Sequence, residues 1–366
     1  MARRPPRPDV RPCRAGRAVT HPGCVLNGRR RIVPAVVSAA AVAAAAVAVV
    51  VTMLTAGHAP HVNHDSPVNP AAPQSGPWAA PYYYLGAGGP SPVQVMAATG
   101  IRRFTLAFVV SDGSCRPAWE NGDPPTGGAQ EAVIRDIRAA GGDVSVSFGG
   151  MGGTKLAVTC TSPEALAAAY QQVISHFRLR AIDLDAEDTE ITTPAVRQRM
   201  VSALSILRRN DPGLMISVTI AAEPDGLDSN GRDLIARAAA DGLRVDAWTI
   251  MPFDFSVRVP DMGQASVRAA EGLKNELVTA YHEPPSAAYR TMGISSMNGR
   301  TDTGETVSVA DFQAMLRYAR AHHLARFTFW SINRDRPCGP GAAADSCSGI
   351  ARESYAFSRI IAAYRG

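Results

Sequence analysis

Apolar and polar positions divide this chain into three regimes. Ile32–Ala56 carries no charged residue and is almost entirely Ala and Val, interrupted only by Pro34, Ser38, Thr52 and Thr55. The segment has no polar face, and its 25 residues suffice to cross a bilayer as a helix. Residues 57–78 show no apolar period and are rich in Pro, Asn and His, which predicts an extended linker. After them, short β-rich runs recur: Tyr82–Leu85, Arg103–Val110, Val144–Phe148, Ala181–Asp185, Met215–Ile220, Ala247–Phe253, Met292–Ser296 and Phe327–Ile332. Most gaps hold a helical period, as in Gln130–Ala140, Pro163–Phe177, Ala195–Arg208, Arg232–Ala239 and Val309–His322. Ser162-Pro163-Glu164 reads as a helix start with cap, N1 proline and early acid, and Ser308 with Asp311 as a capping arrangement.

Eight β-α alternations predict a parallel (β/α)8 TIM barrel over residues 79–366. A doubly wound open sheet would alternate in the same way, but no G-x-G-x-x-G follows the first strand.

Charge sharpens the division. The net charge of +5 suggests a nucleic-acid partner until its placement is read. Nine arginines lie before residue 32, and without residues 1–77 the chain is slightly acidic. No phosphate-binding surface is expected, hence no nucleic acid. Basic residues 1–31 ahead of the apolar run predict a cytoplasmic N-terminus, with 32–56 a transmembrane helix or an export signal. The remainder is then extracellular, either membrane-anchored or secreted after cleavage. Cys115, Cys160, Cys338 and Cys347 follow the run, an even number for an oxidising compartment. Cys338 and Cys347 flank a Gly- and Ala-rich loop and pair by proximity, leaving Cys115 with Cys160. A metal site is not expected, since no C-x-x-C pair or nearby His cluster supports one.

Barrel chemistry sits at the C-terminal ends of the strands. The fourth run ends Ile182-Asp183-Leu184-Asp185-Ala186-Glu187. Side chains alternate across a strand, so the three acids share one face and the three apolar residues the other. Apolar residues face the outer helices, which turns Asp183, Asp185 and Glu187 into the lumen. Clustered carboxylates repel, so at least one should keep its proton near neutral pH. No cation lies within the strand to neutralise them. Catalysis accounts best for such a cluster, with a divalent metal or a structural network as alternatives.

D-x-D-x-E at this strand end, with Ser147-Phe148-Gly149-Gly150 at the third, resembles family 18 of the glycoside hydrolases, the chitinases. Met251-Pro252-Phe253-Asp254 resembles that family's Met-x-Tyr-Asp element. Ala80-Pro81-Tyr82, the stretch Ser296–Glu305, and Trp330-Ser331-Ile332-Asn333-Arg334-Asp335 are similar to elements of one bacterial and archaeal branch. The resemblance covers roughly residues 79–366. It implies a retaining, substrate-assisted hydrolase of β-1,4-linked N-acetylglucosamine polymers, working without cofactor or metal and expected to be monomeric.

In that chemistry the substrate's own 2-acetamido oxygen attacks the anomeric carbon. The resemblance implies that Glu187 is the acid and later the base, that Asp185 holds the acetamido N–H, and that Asp183 shares a proton with Asp185. Trp330 would floor the sugar subsite and Asp254 contact the reacting residue. Met251, Phe253, Tyr82, Ser147, Gly149, Gly150 and Asn333 complete the expected substrate-binding set. The sequence departs from the family pattern in places. Arg180 replaces the first Asp of the longer D-x-x-D-x-D-x-E form, and Phe253 replaces a Tyr whose hydroxyl bonds the acetamido oxygen. Thr301 stands where the branch has Asn. A lectin-like glycan binder without turnover is the alternative, as is a hydrolase of peptidoglycan or N-glycan cores.

Overall fold

The structure, a computed structural model, describes residues 79–350 and 353–365. The expected basic segment 1–31, apolar span 32–56 and linker 57–78 lie outside the described residues. Among the described residues, no helix is long and apolar enough to cross a membrane.

Eight strands form one parallel sheet: β1 (Tyr82–Tyr84), β2 (Arg103–Ser111), β3 (Asp143–Gly149), β4 (Ala181–Ala186), β5 (Met215–Ala221), β6 (Ala247–Met251), β7 (Met292–Met297) and β8 (Arg326–Trp330). They run in sequence order around a nearly closed barrel. Each is followed by a helix: α1 (Pro92–Thr99), α2 (Gly128–Ala139), α3 (Pro163–Phe177), α4 (Pro194–Asn210), α5 (Ser229–Ala240), α6 (Met262–Tyr281), α7 (Val309–His322) and α8 (Ala356–Ala362). A short antiparallel strand, Pro117–Trp119, adds to β2. The expected (β/α)8 architecture is therefore present.

Local signals set the element ends. Ser162 accepts from the Ala165 amide at the start of α3, and Ser308 and Asp311 form a reciprocal capping box at α7. The sixth run ends at Met251 rather than Phe253, because Pro252 has no N–H to give the ladder. The eighth run begins at Arg326, and Ile332 opens a single 3₁₀ turn beyond it. The disulfides Cys115–Cys160 and Cys338–Cys347 form as paired above, with Cα separations of 4.5 and 5.0 Å.

The core lies between barrel and helices. Ile182 and Leu184 of β4, Ile216 and Val218 of β5, and Phe327 and Phe329 of β8 point outward into it and are fully buried with Leu166, Tyr170, Leu204, Leu273 and Phe312. Each such side chain contributes about 1.5–3 kcal/mol by leaving water. The lumen is different. Thr105, Ser145, Ser147, Asp183, Thr219, Thr249, Arg326 and Thr328 are buried polar residues on these strands, where barrels usually carry branched aliphatics.

Between β1 and β8 no backbone ladder closes the described barrel, and side chains bridge the seam instead. Thr328 Oγ1 donates to the Ala80 carbonyl at 2.8 Å. The Asn333 amide accepts from Tyr84 N at 2.8 Å and donates to Tyr84 O at 3.0 Å.

Candidate active site

The acid strand β4 behaves as its alternation requires. Asp183 and Asp185 are 1 and 3% exposed inside the barrel, while Leu184 and Ala186 join the outer core. Asp183 is the hub of the lumen. Its Oδ2 accepts from Tyr82 Oη and Ser147 Oγ, each at 2.7 Å, and its Oδ1 from Thr219 Oγ1 at 2.8 Å. Arg326 Nη1 meets the same Oδ1 at 2.6 Å, both partners being buried. The acids thus have a cationic partner, supplied by β8 rather than by their own strand. Asp183 spends its acceptors on these groups, and no hydrogen bond joins it to Asp185.

Asp185 sits one step nearer the mouth. Its Oδ1 is buried without a protein partner. Burial pushes its carboxyl well above the usual range, and Glu187 and Asp183 push it further, against the pull of Arg326 and Lys155. Beyond the strand end, Asp188 takes a left-handed conformation (φ 48°) and turns the chain directly after Glu187. Burial raises the Glu187 carboxyl to about 7; Lys155 opposes this, and Asp254, Asp302 and Asp188 reinforce it. The expectation that at least one acid keeps its proton near neutral pH is met by Glu187, and the Asp185 carboxyl is shifted in the same direction.

These acids open into a cleft of about 300 Å³ at the C-terminal ends of the strands. Trp330, Tyr82, Tyr84, Phe108, Met251, Phe253 and Met297 form its apolar walls, and Asp254 is among its polar lining. Trp330 stacks on Phe108 with ring centroids 5.4 Å apart. Asn298 fixes the Trp330 backbone, donating its N–H to Trp330 O at 2.9 Å and accepting from Ser331 N at 3.1 Å. Asp254 is left-handed (φ 52°), a conformation Asp tolerates better than most residues. The loop after β7 holds it there: Thr303 N and Oγ1 both reach Asp254 Oδ1 at 2.8 Å, and Glu305 accepts from Asp254 N at 2.7 Å.

The structure therefore brings Glu187, Asp185, Asp254, Trp330, Met251, Phe253 and Tyr82 to one cleft. Four expected binding residues lie behind it. Ser147 is fully buried on Asp183, and the Asn333 amide is consumed at the β1–β8 seam. Gly149 and Gly150 supply close approach. A Cβ on Gly149 (φ 103°) would stand 2.2 Å from Asp185 O, and one on Gly150 2.7 Å from the Phe108 ring. Arg180, at the departed Asp position, pairs with Asp143 at 2.7 Å, away from the cleft. Among the described residues, no group of three or more His, Cys, Asp or Glu could hold a metal ion.

No protein-family model matches the chain. In sequence it is 27% identical over 284 residues to a probable bifunctional chitinase/lysozyme of Escherichia coli, covering 72% of this chain. It is 26% identical over 255 residues to endochitinase 11 of Metarhizium anisopliae, covering 65% of this chain. The chain spans 32 and 48% of the length of these two relatives. In structure it superposes on the catalytic domain of a hyperthermophilic chitinase from Pyrococcus furiosus with a TM-score of 0.69. That match has 27% identity and covers 77% of this chain and 92% of that one. In sequence and fold the chain is similar to these chitinases. The related archaeal domain has also been crystallised, as catalytic-site mutants, with chito-oligosaccharides. A family 18 chitinase of Chromobacterium violaceum, 18% identical with a TM-score of 0.55, shares the fold.

Three further buried charged residues surround the site without any motif to mark them. Arg326 begins a strand 143 residues away from its partner Asp183. Lys155 is 2% exposed, and its ammonium donates to the carbonyls of Gly150 and Gly152, pinning the loop at the cleft edge. Glu190, 4% exposed, lies behind Gly149. Burial raises the Glu190 carboxyl to about 8, against the pull of Lys155 and a hydrogen bond from the Ala157 amide. No local motif marks any of the three. Their only signal is a charge placed where strand or helix alternation requires burial.

Proposed function

We propose that residues 79–366 form a retaining, substrate-assisted hydrolase of β-1,4-linked N-acetylglucosamine polymers, that is, a chitinase. The observation that carries this reading is the pairing of two unlike carboxyls on one strand end. Glu187, held up to about 7 by burial, is the group able to deliver a proton to the departing glycosidic oxygen. Asp185 presents a buried Oδ1 that no protein donor occupies, a vacant acceptor for an acetamido N–H.

The geometry argues against a protein nucleophile. Both acids leave the same strand, Asp185 inside it and Glu187 just after it, so neither reaches the opposite face of a sugar stacked on Trp330. The acetamido oxygen then attacks the anomeric carbon as Glu187 protonates the leaving oxygen. An oxazolinium forms, and its positive charge is offset by Asp185. Water deprotonated by Glu187 opens it with net retention. Asp183 acts from behind, its negative charge raising the Asp185 pKa and Arg326 limiting that rise. The two disulfides support an oxidising, exported location.

Proton NMR of sugar freshly released from an N-acetylglucosamine hexamer tests the mechanism. The β-anomer is expected first, and initial α-anomer would mean inversion and end the assignment. A glycan binder without turnover remains the rival, because Phe253 brings no hydroxyl to the cleft. The hexamer left uncut by saturating protein would favour that rival.

A further inference from the structure

Six acids line the cleft: Glu120, Asp185, Glu187, Asp254, Asp302 and Asp345. Among the described residues, no lysine, arginine or histidine does. The nearest cations are walled off. Lys155 is turned onto the Gly150 and Gly152 carbonyls, and Arg334, 1% exposed, donates to the carbonyls of Asn298, Arg300 and Ala344. Among the described ion pairs, none engages any of the six acids.

Asp185 and Glu187 belong to the reacting subsite. The other four form an arc around it. Glu120 and Asp345 both act electrostatically on Tyr84, and Asp302 is within reach of Asp254 and Asp345. The rings of Trp330, Phe108 and Tyr84 line the same cleft. Low-dielectric walls of this kind concentrate the field of charges at their rim. Independently of the arc, the unpartnered and buried Asp185 Oδ1 opens into the same cleft and calls for a ligand that brings donors.

We propose that the acidic arc makes this cleft a charge filter for glycans. It favours β-1,4 glycans bearing free amino groups outside the reacting sugar, accepts neutral N-acetylated ones, and rejects glycans bearing carboxylates. Lactyl- and peptide-substituted wall glycans are thereby disfavoured, although they carry the same reacting acetamido sugar. Attraction and rejection arise from the same four side chains, because a carboxylate in the cleft meets like charge at the lining, while Lys155 and Arg334 act on the cleft's acids only from behind it. The inference rests on reading the cleft as a glycan site and narrows which glycans it takes.

The test uses the full chain and three β-1,4 hexamers of one shape: cellohexaose, hexaglucosamine, and the hexamer of glucuronic acid. None carries an acetamido group, so binding is read by calorimetry without turnover. At low salt hexaglucosamine should bind about tenfold tighter than cellohexaose, from two or more partly exposed charge pairs, and the glucuronic hexamer more weakly than either. The spread should shrink severalfold at about 0.5 M salt, where screening shortens to a few ångströms. Glu120→Gln and Asp345→Asn should each cut the hexaglucosamine-to-cellohexaose ratio by about two- to fivefold.

Equal affinities for the three hexamers, or a ranking indifferent to salt, would overturn the proposal. Cleavage of the N-acetylglucosamine hexamer is measured separately. Its absence with the ranking intact would remove the hydrolase reading and leave the filter standing.

Discussion

The buried ion pair between Asp183 and Arg326 offers the sharpest test of how the barrel is held together. Arg326→Met keeps much of the side-chain length and removes the guanidinium. Four hydrogen bonds then disappear: to Asp183 at 2.6 Å, Ser217 at 2.8 Å, Thr219 at 3.1 Å and Thr105 at 3.2 Å. The three hydroxyls can re-pair in part, since Ser217 already meets Thr249 and Thr219 still reaches Asp183. Asp183 cannot recover its charge partner and keeps only neutral donors. Breaking a buried pair from one side costs about 3–5 kcal/mol, which for a domain of this size corresponds to about 6–20 °C in melting temperature. Urea unfolding followed by circular dichroism would read the loss, with an unchanged m-value expected. Adding Asp183→Asn should restore part of it, giving a coupling energy of about 2–3 kcal/mol in the double-mutant cycle. A loss below about 1 kcal/mol, or strictly additive effects, would refute the reasoning and make the lumen network an ordinary polar core.

Four further outcomes follow. Glu187→Gln should lower turnover of the N-acetylglucosamine hexamer by about 10² to 10⁴ while calorimetry still detects binding; near wild-type turnover would remove Glu187 as the acid. A general acid works in its protonated form, so with Glu187 raised to about 7 the rate should hold below that pH and fall above it. Lys155→Met deletes a cation that lowers this pKa and should move the alkaline limb upward, whereas an unmoved limb would show that Lys155 acts only on its carbonyls. Replacing Cys338 and Cys347 together by Ser should cost about 2–3 kcal/mol by reopening a short loop, and free thiols in non-reduced peptide maps would contradict the bridge.

The eight strands were legible because each is a short apolar or alternating run, and β4 announced its own lumen face through Asp183, Leu184 and Asp185. Helix α6 was not legible. Its buried face is mostly small residues (Gly263, Ala265, Ser266, Ala269 and Ala270), and Gly272 sits in the helix because a Cβ there would stand 2.2 Å from Asp225 O across the loop. Of the site, the residues on strand ends were readable and those brought in by the fold were not. Arg326 satisfies Asp183 only after the sheet curls β8 toward β4, and Lys155 only after the Gly150–Gly153 loop folds over it. Ser147 and Asn333 show the opposite error. Their motifs pointed to substrate, but the structure uses both to hold other residues in place.

The barrel's parallel strands give the molecule two unlike ends, and both ends of the described chain belong to the same one. Ala80, just before β1, is held by Thr105 and Thr328, and Tyr364, just after α8, packs on Phe327 and bonds the Leu324 carbonyl ahead of β8. Both anchor points lie at the N-terminal rim of the strands, across the full height of the barrel from Trp330 and Glu187. A fusion partner, an affinity handle or a solid support joined at either point therefore leaves from the rear of the domain. The mouth of the cleft then stays clear of the attachment.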